Sequence, residues 1–281
     1  MSHVAVTATE LRYRYLKNGP LALDGCSLTI EAGSRVALLG ANGSGKSTLL
    51  LHLNGSLRPE SGTVSLSAEP QGYNRTALRA WRREVGLVLQ DPDDMLMAGT
   101  VLQEVGFGPL NLGLSQDQAR AKVEATLSEL GLAHLAERPT HLLSGGEKHR
   151  VAIAAIAVMS PCVLMLDEPT AGLDPAGVSE VLDLLDRLHV SGTSIVLSTH
   201  DIDLAAAWAS SIAVLHEGRV LTSGEPELLS DPGLVATARL RRPSVAVVWE
   251  AMPIASRPTR CPRSVEELAA WMRTQSSDVP T

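Results

Sequence analysis

A chain of 281 residues with 44% apolar side chains is long enough for one large or two small domains, and its composition excludes a disordered protein. The net charge of −7 and the 3% aromatic content argue against a nucleic-acid partner, which would call for a basic field or base-stacking rings. Cys26, Cys162 and Cys261 lie far apart with no metal-ligand spacing and read as reduced thiols of a cytosolic protein.

Met1 to Glu10 lacks the basic start and apolar core of a signal peptide. The longest apolar run, Val151 to Met159, falls well short of the ~18–20 residues of a membrane span. Any work at a membrane is therefore expected to go through a partner.

Val4 to Tyr15 and Ala22 to Ile30 carry β-formers around the turn Lys17-Asn18-Gly19-Pro20, which predicts an antiparallel strand pair. Tyr15 reads equally as a platform for a flat base and as a half-buried strand residue. Arg35 to Gly40 is a buried strand, and Gly40-Ala41-Asn42-Gly43-Ser44-Gly45-Lys46-Ser47-Thr48 follows it. The spacing G-x-x-x-x-G-K-[ST] between a strand and the helix of Ser47 to Asn54 is the phosphate-binding loop. Glycines let backbone N–H groups turn towards phosphate oxygens, and the helix directs its positive end at the same charge. Lys46 is expected to reach the β and γ phosphates of ATP and the Ser47 hydroxyl to ligate Mg²⁺.

Thr63 to Ser67 reads as a strand, Ala77 to Arg83 as a short basic element, and Val85 to Leu89 as a buried strand ending at Gln90, where open α/β sheets place ligands. From Asp91 to about Thr140 the chain turns helical. Ser115 with Gln118 forms a capping box, Ala119, Val123, Leu127 and Leu130 recur at helical spacing, and Gly131 ends the element. Met95-Leu96-Met97 reads either as core packing or as an adaptable contact surface. Ser144-Gly145-Gly146 opens a further helix, Glu147 to Met159, and offers a second anion site that need not meet the first on one molecule.

Cys162 to Leu166 is a buried parallel strand ending in Asp167 and Glu168. Asp167 is suited to holding Mg²⁺ through water, and Glu168 to accepting a proton from an attacking water. Beyond Asp174, Val178, Val181, Leu182, Leu185 and Leu188 mark a helix. Ser194 to Ser198 is another buried strand, with His200 just past its end, and Ile202 to Ser210 the next helix. A hairpin turns at Glu217-Gly218. Past about Arg239, arginines 239, 241, 242, 257, 260 and 263 lie among prolines before an amphipathic helix at Val265 to Gln275 with Trp271. They read as a solvated face or as a docking surface.

The order of these motifs over roughly Val4 to Leu229 resembles the ABC-type ATPases. The carrying segments are the phosphate loop, Gln90, the helical insertion, Leu143 to Lys148, Val163 to Glu168, Gly172-Leu173-Asp174 and His200. Gln90 to Asp94, Phe107 to Leu114 and Gly146 to Ala154 are similar to the ATPases of energy-coupling-factor importers, those for cobalt in particular. The resemblance implies an α/β fold with a mixed parallel core sheet, an N-terminal antiparallel β part and an inserted helical subdomain at about 91–160. The ATPase domain would span 1–229 and a small appendage 230–281.

It further implies a homodimer with ATP at the interface, where Gly45, Lys46 and Ser47 of one copy and Ser144, Gly145 and Gly146 of the other meet one γ-phosphate. Tyr15 would stack the adenine, Gln90 would sense Mg²⁺ and the attacking water, Glu168 would be the base, His200 would contact the γ-phosphate, and Asp174 would signal across the interface. Integral membrane subunits would dock near Gln90 to Met97, at the cytoplasmic face of the membrane. One departure stands out: Met95 lies where such importers usually carry a Gln. Nickel or vitamin import is the alternative cargo, and a soluble ABC scaffold the alternative class. The segment from Asp91 to Thr140 is too short for the coiled coil of the DNA-maintenance members.

Overall fold

Strands β1 (Val4–Tyr13) and β2 (Leu23–Glu31) pair antiparallel. In β2 the apolar residues Cys26, Leu28 and Ile30 are buried and alternate with exposed Ser27 and Thr29, the pattern of a sheet with one covered face. The computed structural model describes residues 4–253 and 257–277. β3 (Arg35–Leu39) leaves for a second sheet and runs into α1 (Lys46–Leu53). β4 (Ser61–Leu66) and β5 (Glu69–Pro70) return to the first, giving the order β2-β1-β4-β5. α2 (Arg75–Glu84) then leads to β6 (Val85–Val88).

The insertion comprises α3 (Val101–Asn111), α4 (Gln116–Glu129) and α5 (Gly145–Ala157). In α4 the predicted Ser115–Gln118 capping box forms, Ala119, Val123 and Leu127 are buried, and Gly131 takes the left-handed φ of 76° that stops the helix. α3 falls within the stretch read as helical but has no individual signal in the sequence, since Gly106, Gly108 and Pro109 are poor helix formers. It persists because Val101, Val105 and Pro109 bury one face and Gly108 is pressed against Met159, whose Sδ lies 3.0 Å from where a Cβ would sit.

β7 (Val163–Asp167), α6 (Pro175–Val190), β8 (Ser194–Thr199), α7 (Ile202–Trp208), β9 (Ser211–His216) and β10 (Arg219–Gly224) complete the second sheet. Its order is β10-β9-β3-β8-β7-β6, parallel throughout except for the edge hairpin. Glu217 and Gly218 both have positive φ, as the tight hairpin turn at that point requires. Every residue of β7 and β8 is buried, as expected of central parallel strands covered on both faces.

Period-two alternation divides the core at β3. Ala37 and Leu39 pack with the layer of α5, α6 and α7, whereas Val36 and Leu38 pack with α1 and the first sheet. Each fully buried Leu contributes about 1.5–3 kcal/mol, so the phosphate loop leaves a strand clamped from both sides. On α6 the buried face is Val181, Leu184, Leu185 and Leu188; Leu184 takes the place expected of the half-buried Val178 and Leu182.

α8 (Pro232–Thr237), α9 (Ser244–Ala251) and α10 (Val265–Ser277) follow. Within the stretch 230–281, residues 254–256 and 278–281 lie outside the described residues. Leu229 and Ala238 belong to the same apolar cluster as α5 and α6. Arg241 pairs with Asp201 and Asp203, Arg242 with Glu250, and Arg263 with Glu227, while the Arg257 guanidinium lies 4.3 Å from the centre of the Trp249 ring. These four arginines hold the C-terminal stretch together or to the rest of the chain. Among the described residues no helix is long and apolar enough to cross a membrane.

Candidate functional site

The loop Gly40–Gly45 can form only with glycine at its ends. A Cβ on Gly40 would come within 2.4 Å of the Leu215 carbonyl oxygen, and Gly45 adopts φ 107° with a would-be Cβ 2.7 Å from the Ala22 carbonyl. α1 starts at Lys46, so its unpaired N–H groups and positive dipole end open on the loop. Lys46 Nζ donates to the Gly40 carbonyl at 2.8 Å and stands 3.6 Å from Glu168 Oε1. Both side chains are less than a tenth exposed, and a buried ammonium needs a counter-charge, which Glu168 supplies.

The parallel register aligns Asp167 with Ser198. Ser198 Oγ donates to Asp167 Oδ1 at 2.5 Å and also lies 3.3 Å from the Glu168 N–H, which donates to the Ser198 carbonyl at 3.1 Å. Glu168 has φ 49°, a left-handed backbone that a side-chain-bearing residue adopts at a cost of about 1–3 kcal/mol. It turns the carboxylate out of the sheet, where His200 Nδ1 meets Oε2 at 2.9 Å. Ser198 belongs to no motif that the sequence shows. It stands at the end of the apolar run Ile195–Leu197, and only the β7–β8 register reveals what its hydroxyl faces.

A cavity of about 480 Å³ is lined by Tyr15, Asn42 to Thr48, Gln90, Asp167, Glu168 and His200. Gly40 and Ala41 shape the loop instead, their carbonyls accepting from Lys46 and from the Ser44 N–H. Tyr15 is 59% exposed, so the half-buried reading is not what is found; its hydroxyl lies 3.1 Å from Thr48 Oγ1. Ser47, Gln90 and Asp167 also border a groove of about 640 Å³ that runs along Asp91, Pro92 and His149. These three bring only hard oxygen donors. Among the described residues no group of three or more His, Cys, Asp or Glu could hold a metal by itself. The donor set fits a Mg²⁺ that takes its remaining ligands from phosphate and water.

Ser144, Gly145, Gly146 and Asp174 do not line this cavity. Ser144 caps α5: its Oγ accepts from the Glu147 N–H, and its own N–H donates to Glu147 Oε2 at 2.7 Å. That donation, chiefly, holds the Glu147 carboxyl below the usual carboxylate range, against the opposing pull of its burial. Around Gly145 and Gly146 nothing lies within 4 Å of a would-be Cβ. Asp174 caps α6 through the Gly177 N–H at 2.7 Å. The two readings of 95–97 divide between residues: Met95 and Leu96 pack on the core, and Met97 is 88% exposed.

The ABC transporter family model matches residues 23–171. The cobalt import ATP-binding protein CbiO of Rhodobacter capsulatus is 50% identical over 272 residues, covering 95% of this chain and 96% of that protein. The energy-coupling factor transporter ATP-binding protein EcfA of Methanocaldococcus jannaschii is 45% identical, covering 87% of this chain and 88% of its own. Among solved structures, cbiO1 of Clostridium perfringens, part of the complex cbiONQ, superposes with TM-score 0.76 at 41% identity, covering 88% of this chain and 99% of that one. A dimeric post-hydrolysis ATP-binding cassette bound to ADP and Pi superposes with TM-score 0.70 at 26% identity, covering 79% and 98%.

Proposed function

The chain belongs to the ABC transporter ATP-binding family, and we propose that it powers the import of cobalt ions. It is the ATP-binding, ATP-hydrolysing subunit of an importer of the energy-coupling-factor type. The cobalt assignment rests on the similarity to CbiO proteins, since among the described residues no side-chain cluster could hold the cargo. The observation that carries the motor reading is the convergence of the glycine loop, Lys46, Glu168 and His200 on one cavity.

In this reading the loop N–H groups from Asn42 to Thr48 and Lys46 Nζ hold the phosphates, and Tyr15 stacks the adenine. Ser47, Gln90 and Asp167 hold Mg²⁺, which when bound neutralises charge on the β and γ phosphates. Glu168 takes the proton of the attacking water, and His200 holds both that carboxylate and the γ-phosphate. Ser144, Gly145 and Gly146 of a second copy close the site, with Asp174 at the interface. The catalytic unit is 1–229, with 230–281 an appendage. The protein works peripherally at the cytoplasmic face of the membrane, its membrane subunits docking near Gln90 to Met97.

The test is uptake of labelled cobalt by cells co-expressing this chain with its membrane subunits. Accumulation lost in Lys46→Ala is expected. Lys46-dependent uptake of nickel or a vitamin in place of cobalt would overturn the cargo while leaving the motor reading standing.

A further inference from the structure

His200 is joined to the C-terminal stretch through the residues that follow it. Asp201 caps α7, its Oδ1 accepting from the Asp203 and Leu204 N–H groups at 3.0 and 3.2 Å, and its own N–H donates to Thr199 Oγ1 at 3.0 Å. The turn Thr199–Asp201 that presents His200 is thus tied at both ends. Asp203, in the first turn of α7, reaches out to α9. Its Oδ1 accepts the Ser244 N–H at 2.6 Å and its Oδ2 the Ser244 hydroxyl at 2.8 Å. α9 begins behind Pro243 and has no cap of its own, so Asp203 supplies both the missing acceptor and the negative charge favoured at that helix end.

Arg241 adds 3.5 and 3.3 Å contacts to Asp201 and Asp203. Val245 and Ala246 are buried, which seats α9 firmly. A second strand of the connection, Arg239 to Glu217 at 3.7 Å beside the turn whose Gly218 N–H holds the Ser44 carbonyl, is an exposed pair that adds little. The two charge-assisted bonds between Asp203 and Ser244 carry the coupling.

We propose that Asp203, Arg241 and Ser244 are positioning residues. By fastening α9 to the start of α7 they hold the Thr199–Asp201 turn so that His200 meets the terminal phosphate, making the C-terminal stretch a working part of the nucleotide site. This inference rests on the reading of His200 as the γ-phosphate contact. Its signature is discrimination between nucleotides: a misplaced His200 weakens ATP, which carries that phosphate, and spares ADP, which does not.

The experiment measures Mg²⁺-ATP and Mg²⁺-ADP dissociation constants of the full-length protein, of Asp203→Ala, Ser244→Ala, Ser244→Thr and His200→Ala, and of the double variant Asp203→Ala with His200→Ala, together with melting temperatures. Asp203→Ala is expected to weaken ATP by roughly 2- to 30-fold with ADP unchanged. Ser244→Ala should show a smaller loss of the same kind and Ser244→Thr none, and the Asp203→Ala effect should vanish in a His200→Ala background. Equal weakening of both nucleotides, an unchanged ATP constant, or an effect that persists in full without His200 overturns the proposal. If His200→Ala itself fails to weaken ATP relative to ADP, the γ-phosphate reading is wrong and the positioning role falls with it.

Discussion

His200 Nδ1 lies 2.9 Å from Glu168 Oε2, while the other oxygen of the same carboxylate stands 3.6 Å from Lys46 Nζ. The glutamate is thus held from two sides by groups that line the same cavity, on a left-handed backbone that turns it towards them. Strain of this kind persists only where the surroundings over-determine it, and here the Ser198 carbonyl and hydroxyl and the two nitrogen partners do so.

Glu168→Gln keeps the shape and one acceptor but loses the basic oxygen pair. Steady-state ATP hydrolysis is expected to fall by about 10²- to 10⁴-fold, the range for loss of a positioned base, with ATP binding retained. Normal turnover in that variant would assign the proton transfer elsewhere.

Ser198→Ala removes a fully buried hydroxyl and leaves Asp167 Oδ1 without its 2.5 Å donor. Urea unfolding should show a loss of about 1–3 kcal/mol, the cost of an unsatisfied buried polar group. No change in stability would mean that water replaces the hydroxyl without penalty.

Gly45→Ala meets two obstacles: a φ of 107° and a Cβ 2.7 Å from the Ala22 carbonyl oxygen. A stability loss of about 1–3 kcal/mol from backbone strain alone is expected, along with loss of measurable ATP binding. Tight ATP binding by this variant would show that the loop conformation is not what holds phosphate.

His52 is fully buried, with Nδ1 donating to the Thr48 carbonyl at 2.7 Å and Nε2 without a partner. Burial pushes its pKa below the ordinary 6.5, against the opposing effect of the Thr48 carbonyl. The unfolded chain therefore binds the proton more readily than the folded one. The stability tied to neutral His52 is present in full above the unfolded value and is lost as the pH falls from there towards the lower folded value. Unfolding free energies of the wild type should drop further than those of His52→Leu between about pH 7.5 and about pH 5.5. Parallel pH profiles would refute this.

Much of the site was legible because its motifs are local. The glycine loop, Asp167–Glu168 at one strand end and His200 at another are each read from a few neighbouring residues and a strand boundary. What stayed hidden depends on register and on contacts distant in sequence. Ser198 matters only because β8 lies beside β7, and the strained Glu168 backbone leaves no mark in composition. The same limit applied to the fold. α4 announced itself through Ser115, Gln118 and an unbroken apolar stripe, whereas α3 carries Gly106, Gly108 and Pro109, and tertiary packing against Met159 overrides their breaker character. The arginines past 239 gave no local hint of Asp201, Asp203, Glu227 or Glu250 as partners.

In the proposed dimer one nucleotide is clasped by the glycine loop of one copy and the Ser144–Gly146 helix end of another. In a Glu168→Gln background, chains carrying Lys46→Ala and chains carrying Ser144→Arg can be loaded with labelled ATP and Mg²⁺, separately and mixed, then passed rapidly through a desalting column. Neither variant alone is expected to retain nucleotide, whereas the mixture is, because a mixed pair rebuilds one intact site. Retention by the Ser144→Arg chain alone, at the level of the Glu168→Gln parent, would contradict it.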